Sequence, residues 1–245
     1  SHGNGGDFRG HEDTAQALAA AGFVVASLTH TGDNWRDQSA ATDVARRPRQ
    51  LSLLIETMVA EGGIDPGRIG AFGFSAGGFT VLTAAGGEPD LGLVADHCRA
   101  HPDFYDCRLI ASAGLPTEGA AAVWTHNPRI RAAVVAAPAL GFAFAPEGLR
   151  GVTQPLQLWQ AEDDRILPSP AYVEPVRAAL PTPPEFQFVH GAGHFDFLPP
   201  CRPEVRASAP MICVSAPDFD RAAFHDRFNA EVVRFFRQAL LSDDR

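Results

Sequence analysis

The sequence predicts an α/β fold, a doubly wound and mostly parallel sheet held between layers of helix. Three observations carry that expectation. Short apolar runs alternate with helix-spaced segments along the 245 residues, which is the signature of parallel strands joined by crossover helices. Residues 68–85 read as a strand, a sharp glycine-bounded turn and a helix in direct succession. Hydrophobic residues make up 45% of the chain, enough to cover both faces of such a sheet.

The elements follow in order. Thr14 to Ala21 is Ala-rich and reads as a helix stopped by Gly22, and Phe23 to Leu28 as a buried strand of the parallel type. Thr29 to Ala45 is polar and irregular. Pro48 to Ala60 carries Leu51, Leu54, Ile55 and Met58 at helical spacing and ends at Gly62-Gly63. Arg68 to Phe72 is a strand, and Phe79 to Ala85 the helix after it. Ile130 to Ala137, Leu156 to Gln160 and Glu185 to His190 are strands, with a helix at Ala171 to Leu180 between the last two. Asp218 to Leu240 closes the chain as a long helix with Phe224, Phe228, Val232, Phe235 and Phe236 on one face. Residues 1–245 are expected to form one catalytic domain. Two stretches interrupt the alternation, an insertion at 86–127 and a Pro-rich loop at 195–217. Loops of that length in a compact domain are commonly lids or binding walls.

The chemistry is concentrated at Gly73-Phe74-Ser75-Ala76-Gly77-Gly78. Between a strand and a helix, G-x-S-x-G is a nucleophile elbow. The serine adopts a strained backbone, and Gly73 and Gly77 leave room where a side chain would strike the strand or helix. A serine hydroxyl needs a base, and the base needs an orienting carboxylate. The loop after Leu156–Gln160 offers Glu162, Asp163 and Asp164. Asp164 is the expected acid, four residues before Pro168, with Asp163 in reserve. After the last strand, Gly191-Ala192-Gly193 lets a loop carry His194 over the sheet edge, and His194 is the expected base. The oxyanion donors are expected to be the backbone N–H of Ala76 and, from the His2-Gly3-Asn4 turn, that of Asn4. His2 reads as a buttress of that turn.

Four cysteines fall in two local pairs, Cys98 with Cys107 and Cys201 with Cys213. Local pairing as disulfides is expected, and with it a secreted or periplasmic protein. A zinc site from His97, Cys98, His101 and Cys107 lacks the usual spacing, so no metal is expected, and the chemistry calls for no cofactor. Lys+Arg 20 against Asp+Glu 29 gives −9, which disfavours nucleic acid and anionic membranes as partners. No apolar run is long enough for stable membrane insertion. A small-molecule ester is the expected partner, with the protein a monomer or homodimer. Trp35, Phe79, Trp159 and Phe195, with Phe142, Phe144 and Phe197, are candidates for a substrate pocket, each competing with a core role. Arg36 and Arg47 could meet an anionic group or simply be surface residues.

Several runs resemble a known family: Ser1-His2-Gly3, Gly22 to Ala26, His30-Thr31-Gly32-Asp33-Asn34, Arg47-Pro48, Ile64 to Gly70, the elbow itself, and Gly193-His194-Phe195. Together they resemble the dienelactone-hydrolase-like α/β-hydrolases, in the branch of platelet-activating-factor acetylhydrolase and its bacterial relatives. The resemblance implies a three-layer sandwich and carries nucleophile, acid, base and oxyanion donors onto Ser75, Asp164, His194, Asn4 and Ala76. Dienelactone hydrolases use a cysteine nucleophile. Ser75 departs from that, so an ordinary carboxylic ester is expected instead. In this fold a strand ends at the His-Gly turn, between the strand at Phe23 and the elbow strand. The given chain lacks it, so upstream strands and a gap beside the elbow strand are also expected.

Overall fold

In a computed structural model of the protein, residues 1–114 and 123–242 are described. Residues 115–122, inside the expected insertion, and 243–245 lie outside the described residues. Four strands, β1 (Ile69–Phe74), β2 (Ile130–Ala136), β3 (Leu156–Ala161) and β4 (Glu185–Val189), form one sheet in sequential order. Every pairing is parallel, with Gly73 opposite Val135, Val135 opposite Leu158, and Leu158 opposite Phe186.

Helices cover both faces. Alternation along a strand sends successive side chains to opposite faces, and β2 is apolar on both. Ala133 and Val135 join one core with Leu51 and Ile55 of α2 (Arg46–Glu61), Val81 and Leu82 of α3 (Ala76–Ala84), and Val176. Ala132, Val134 and Ala136 face the other core. There they meet Leu18 of α1 (Glu12–Ala20) and the phenylalanine stripe of the closing helix (Arg221–Leu241). That stripe is buried at Phe224, Phe228, Val232, Phe235 and Phe236, as the helical spacing requires, and Asp220 caps the helix by accepting from the Ala223 N–H at 3.0 Å. No described helix is long and apolar enough to cross a membrane.

The insertion supplies α4 (Leu91–Ala100) and α5 (Tyr105–Ala113), stapled by Cys98–Cys107. Cys201–Cys213 closes the 195–217 loop around a short helix, Pro203–Ser208. α6 (Val173–Ala179) precedes β4.

One expected element is absent. Phe23–Leu28 forms no ladder with any described strand, and Val24 is 64% exposed. Apolar character alone does not make a strand, because each ladder group needs a partner. A groove of about 430 Å³ runs between this segment and residues 68–72, at the start of β1, lined also by Leu51, Ile55, His11 and Leu18. Ser1 meets the outer edge of β1, donating from its amino nitrogen to the Phe72 carbonyl at 2.8 Å and accepting from the Phe74 N–H at 3.3 Å.

Candidate active site

β1 delivers Ser75 to the carboxyl edge of the sheet, and α3 departs immediately after it. Ser75 has φ 55° and ψ −120°, a region that L residues adopt only when the surroundings enforce it. The surroundings do so. The Ser75 N–H donates to Ala136 O at 2.9 Å, and Ser75 O accepts from Ala139 N at 3.0 Å. A Cβ at Gly73 would lie 2.1 Å from Gly77 O, and one at Gly77 would lie 2.0 Å from Ser1 O. Neither glycine has space for a side chain.

The acid and base candidates arrive from the loops after β3 and β4. β3 ends at Ala161, and the loop beyond it is tied to the histidine loop through Glu162 N to Val189 O at 3.1 Å and Asp163 N to Ala192 O at 2.8 Å. Asp164 Oδ1 accepts from the N–H groups of Ile166 and Leu167 at 2.9 and 2.7 Å. Its other oxygen, Oδ2, lies 2.7 Å from His194 Nδ1, and His194 Nε2 lies 3.0 Å from Ser75 Oγ. All three side chains are buried, whereas Asp163 points to solvent. The chain of contacts therefore runs carboxylate, imidazole, hydroxyl, the order needed to move a proton off serine.

The His2-Gly3-Asn4 turn sits against the nucleophile, since a Cβ on Gly3 would lie 3.3 Å from Ser75 Cβ. Among the described residues the backbone N–H groups of Asn4 and Ala76 have no hydrogen-bond partner, so both stay available to a ligand oxygen. His2 holds the turn by Nδ1 to Gly3 O at 2.7 Å and Nε2 to the His30 N–H at 2.9 Å. Burial, and then the nearby Arg47 charge, lower the His2 pKa to about 3, so its imidazole stays neutral and Nε2 can accept.

The other expected residues divide. Phe195 is half-buried with its ring 5.3 Å from that of His194, and Trp35 is 60% exposed beneath the Arg36 guanidinium. Phe79 and Trp159 belong to the core. Phe79 packs between Trp124 and Phe144, because α3 is covered all round. Trp159 faces the closing helix against Phe228, with its N–H given to Gln157 Oε1 at 2.8 Å. Phe197 is likewise fully buried. The four cysteines pair locally, and His97 and His101 stack on Phe142 and Phe104. Among the described residues no group of three or more His, Cys, Asp or Glu is placed to hold a metal.

Two supports escape sequence reasoning. Asp196 accepts from the Gly193 N–H at 2.7 Å and from Arg221 Nε at 2.8 Å, fixing the turn that carries His194. Arg47, only 3% exposed, pairs with the equally buried Asp33 beneath the Asn4 turn and is not a surface residue. Neither pair has a local motif; each joins residues that only folding brings together.

A model of the prolyl oligopeptidase family matches residues 10–95, a span that includes the elbow and ends before the acid and histidine loops. No curated protein matches the chain. With the parallel sheet and its helical layers, the match points to a serine hydrolase of the α/β-hydrolase fold.

Proposed function

We propose that the protein is a serine esterase that cleaves a small, lipid-like or aromatic carboxylic ester through an acyl-enzyme. The observation that carries this is the continuous contact from Asp164 through His194 to a strained Ser75. In the proposed cycle Ser75 Oγ attacks the ester carbonyl while His194 Nε2 takes its proton. Asp164 holds the imidazole by Nδ1 and offsets the positive charge that forms. The N–H groups of Asn4 and Ala76 bind the developing oxyanion, an interaction whose loss typically costs about 10²–10³ in rate per donor. His194 then protonates the leaving alcohol, and a water repeats the sequence to release the acid. Side chains, two backbone N–H groups and water carry every step of this cycle. The resemblance to dienelactone-hydrolase-like and platelet-activating-factor acetylhydrolase-like enzymes supports an ester, and Phe195 and Trp35 are the apolar groups assigned to the acyl or aromatic side of the substrate. The two disulfides support a secreted or periplasmic location.

A peptidase or amidase is the second reading, favoured by the prolyl oligopeptidase family match. A panel of p-nitrophenyl esters of rising chain length, an aromatic monoester and a phospholipid, run beside aminoacyl- and prolyl-p-nitroanilides, separates the two. Ester turnover that vanishes in Ser75→Ala, with the fold intact, is the expected result. Turnover of anilides alone would transfer the assignment to the peptidase. Ser75→Ala with full activity would remove Ser75 from the mechanism.

A further inference from the structure

Arg47 is the most unusual charged group outside the triad. It lies on α2, its side chain is 3% exposed, and its three nitrogens go to three different pieces of the chain. Nη2 donates to the carbonyl of His2. Nη1 donates to Asp33 Oδ2. Nε donates to Thr80 Oγ1 at 3.0 Å, and Thr80 in turn donates to the carbonyl of Ala76 at 2.7 Å. Asp33 completes the figure, because its Oδ1 accepts from Asn4 Nδ2 at 2.8 Å and from the Gly5 N–H at 2.9 Å.

These contacts converge on two places. One is the His2–Gly5 turn, gripped at His2 O, Asn4 Nδ2 and Gly5 N. The other is the first turn of α3, reached through Thr80 and Ala76 O. These are the two backbone segments that adjoin Ser75 and whose N–H groups, at Asn4 and Ala76, have no hydrogen-bond partner among the described residues. A buried ion pair gains little net stability, because desolvation cancels most of the attraction. Its geometric effect is not cancelled. A planar guanidinium with diverging donors fixes several acceptors at set angles, which a lysine ammonium cannot do.

We propose that Arg47, with Asp33, is a positioning residue that sets the separation of the two oxyanion donors. This rests on the serine-hydrolase reading above. Arg47 touches no substrate; it acts through His2, Thr80 and Asp33. Tyr105 of α5 reaches the same turn, donating from its hydroxyl to Asn4 Oδ1 at 2.6 Å, so the disulfide-stapled insertion braces the turn from outside.

The experiment compares wild type, Arg47→Lys and Thr80→Val. Thermal melts and circular dichroism establish that each variant is folded. Kinetics on the best ester give kcat and KM separately, and two probes of the oxyanion site are added. These are inhibition by an aryl boronic acid, whose tetrahedral serine adduct places an oxygen between the donors, and the rate of fluorophosphonate labelling. Arg47→Lys is expected to lower kcat about 10²-fold, the scale of one lost donor. KM should stay within about threefold, and boronate affinity and labelling rate should fall with kcat. Thr80→Val, which keeps the Asp33 pair, is expected to show the same split at about tenfold. It also serves as the test if the lysine variant does not fold. A folded variant whose kcat, boronate affinity and labelling rate all stay within threefold of wild type overturns the proposal. So does a fall in kcat with unchanged boronate affinity. The wild type tells the two ideas apart. If it labels but cleaves no ester, the ester reading fails and labelling rate still tests Arg47. If it does not label, the nucleophile assignment itself is wrong.

Discussion

Asp163 and Asp164 are neighbours in sequence and opposites in environment. Both carboxylates follow the same strand, but only Asp164 turns inward, where two backbone N–H groups fill one oxygen and leave the other for His194. Replacing Asp164 with Asn keeps the shape and reverses the hydrogen-bonding demand at Nδ1. A loss of about 10⁴ in kcat is expected, as for other triads so altered. Asp163→Asn should stay within about threefold, and steady-state kinetics on one ester compare the two directly. The spacing to Pro168 already singled out Asp164 in the sequence. The N–H pair that orients it was not legible, because it depends on how the loop folds back. Arg47 is the clearer case of a residue the sequence could not read. Its type and position are those of an ordinary surface arginine on an amphipathic helix, and its burial comes from the distant segments it meets, at His2, Asp33 and Thr80.

The strand–turn–helix around Ser75 was readable because its demands are local. Glycine at positions 73 and 77 is required by contacts of 2.1 and 2.0 Å that a Cβ would make with backbone. Gly77→Ala would force Ser1 away from β1, and Gly73→Ala would push β1 from α3. Either change is expected to remove soluble folded protein, scored by expression yield and circular dichroism; a well-folded Gly73→Ala would contradict the geometry. The segment Phe23–Leu28 failed for the opposite reason. Its apolar run satisfies the local signal for a strand, but a strand exists only through a neighbour's hydrogen bonds, and none of the described strands supplies them. The disulfides close loops with sequence separations of 9 and 12. By chain entropy each stabilises by about 2–3 kcal/mol. The Cys98→Ser/Cys107→Ser double variant should melt several degrees lower. Iodoacetamide should label no cysteine of the wild type before reduction and all four after it; labelling of the unreduced protein would exclude the pairing.

Across the whole molecule, buried histidines set the response to acid. Burial lowers the pKa of His2 and of His11 to about 3, and drives that of His30 down further still, with the Arg47 charge adding to the effect at His2 and His30. His11 has no hydrogen-bond partner at either ring nitrogen among the described residues, its ring lying against Phe72 and Phe74. The unfolded chain takes up these protons near pH 6.5, before the folded protein does. Their contribution is therefore intact above about pH 6.5 and lost as pH falls towards 3. Asp106 acts in the opposite direction: burial raises its pKa, so its contribution is lost as pH rises through the carboxylate range. The melting temperature should fall steadily from pH 6.5 to pH 4.5, and His11→Phe should flatten that slope. A melting temperature constant over that interval would rule the mechanism out.

What the sequence determined by itself was everything with a short-range cause. The fold class came from alternating apolar runs and helical spacing. The proposed nucleophile, Ser75, was legible from the glycines that its strained turn requires, and the proposed acid and base from the loops after successive strands. Only the tertiary structure decided the rest. It turned Asp164 inward and left Asp163 exposed, drew Phe79 and Trp159 into the core, and left Phe23–Leu28 without a strand partner among the described residues. It also placed a buried arginine beneath the turn that faces the nucleophile. Those outcomes depend on which distant backbone groups find each other, and a hydrogen bond between residues 47 and 2 leaves no trace in the residues that flank either one.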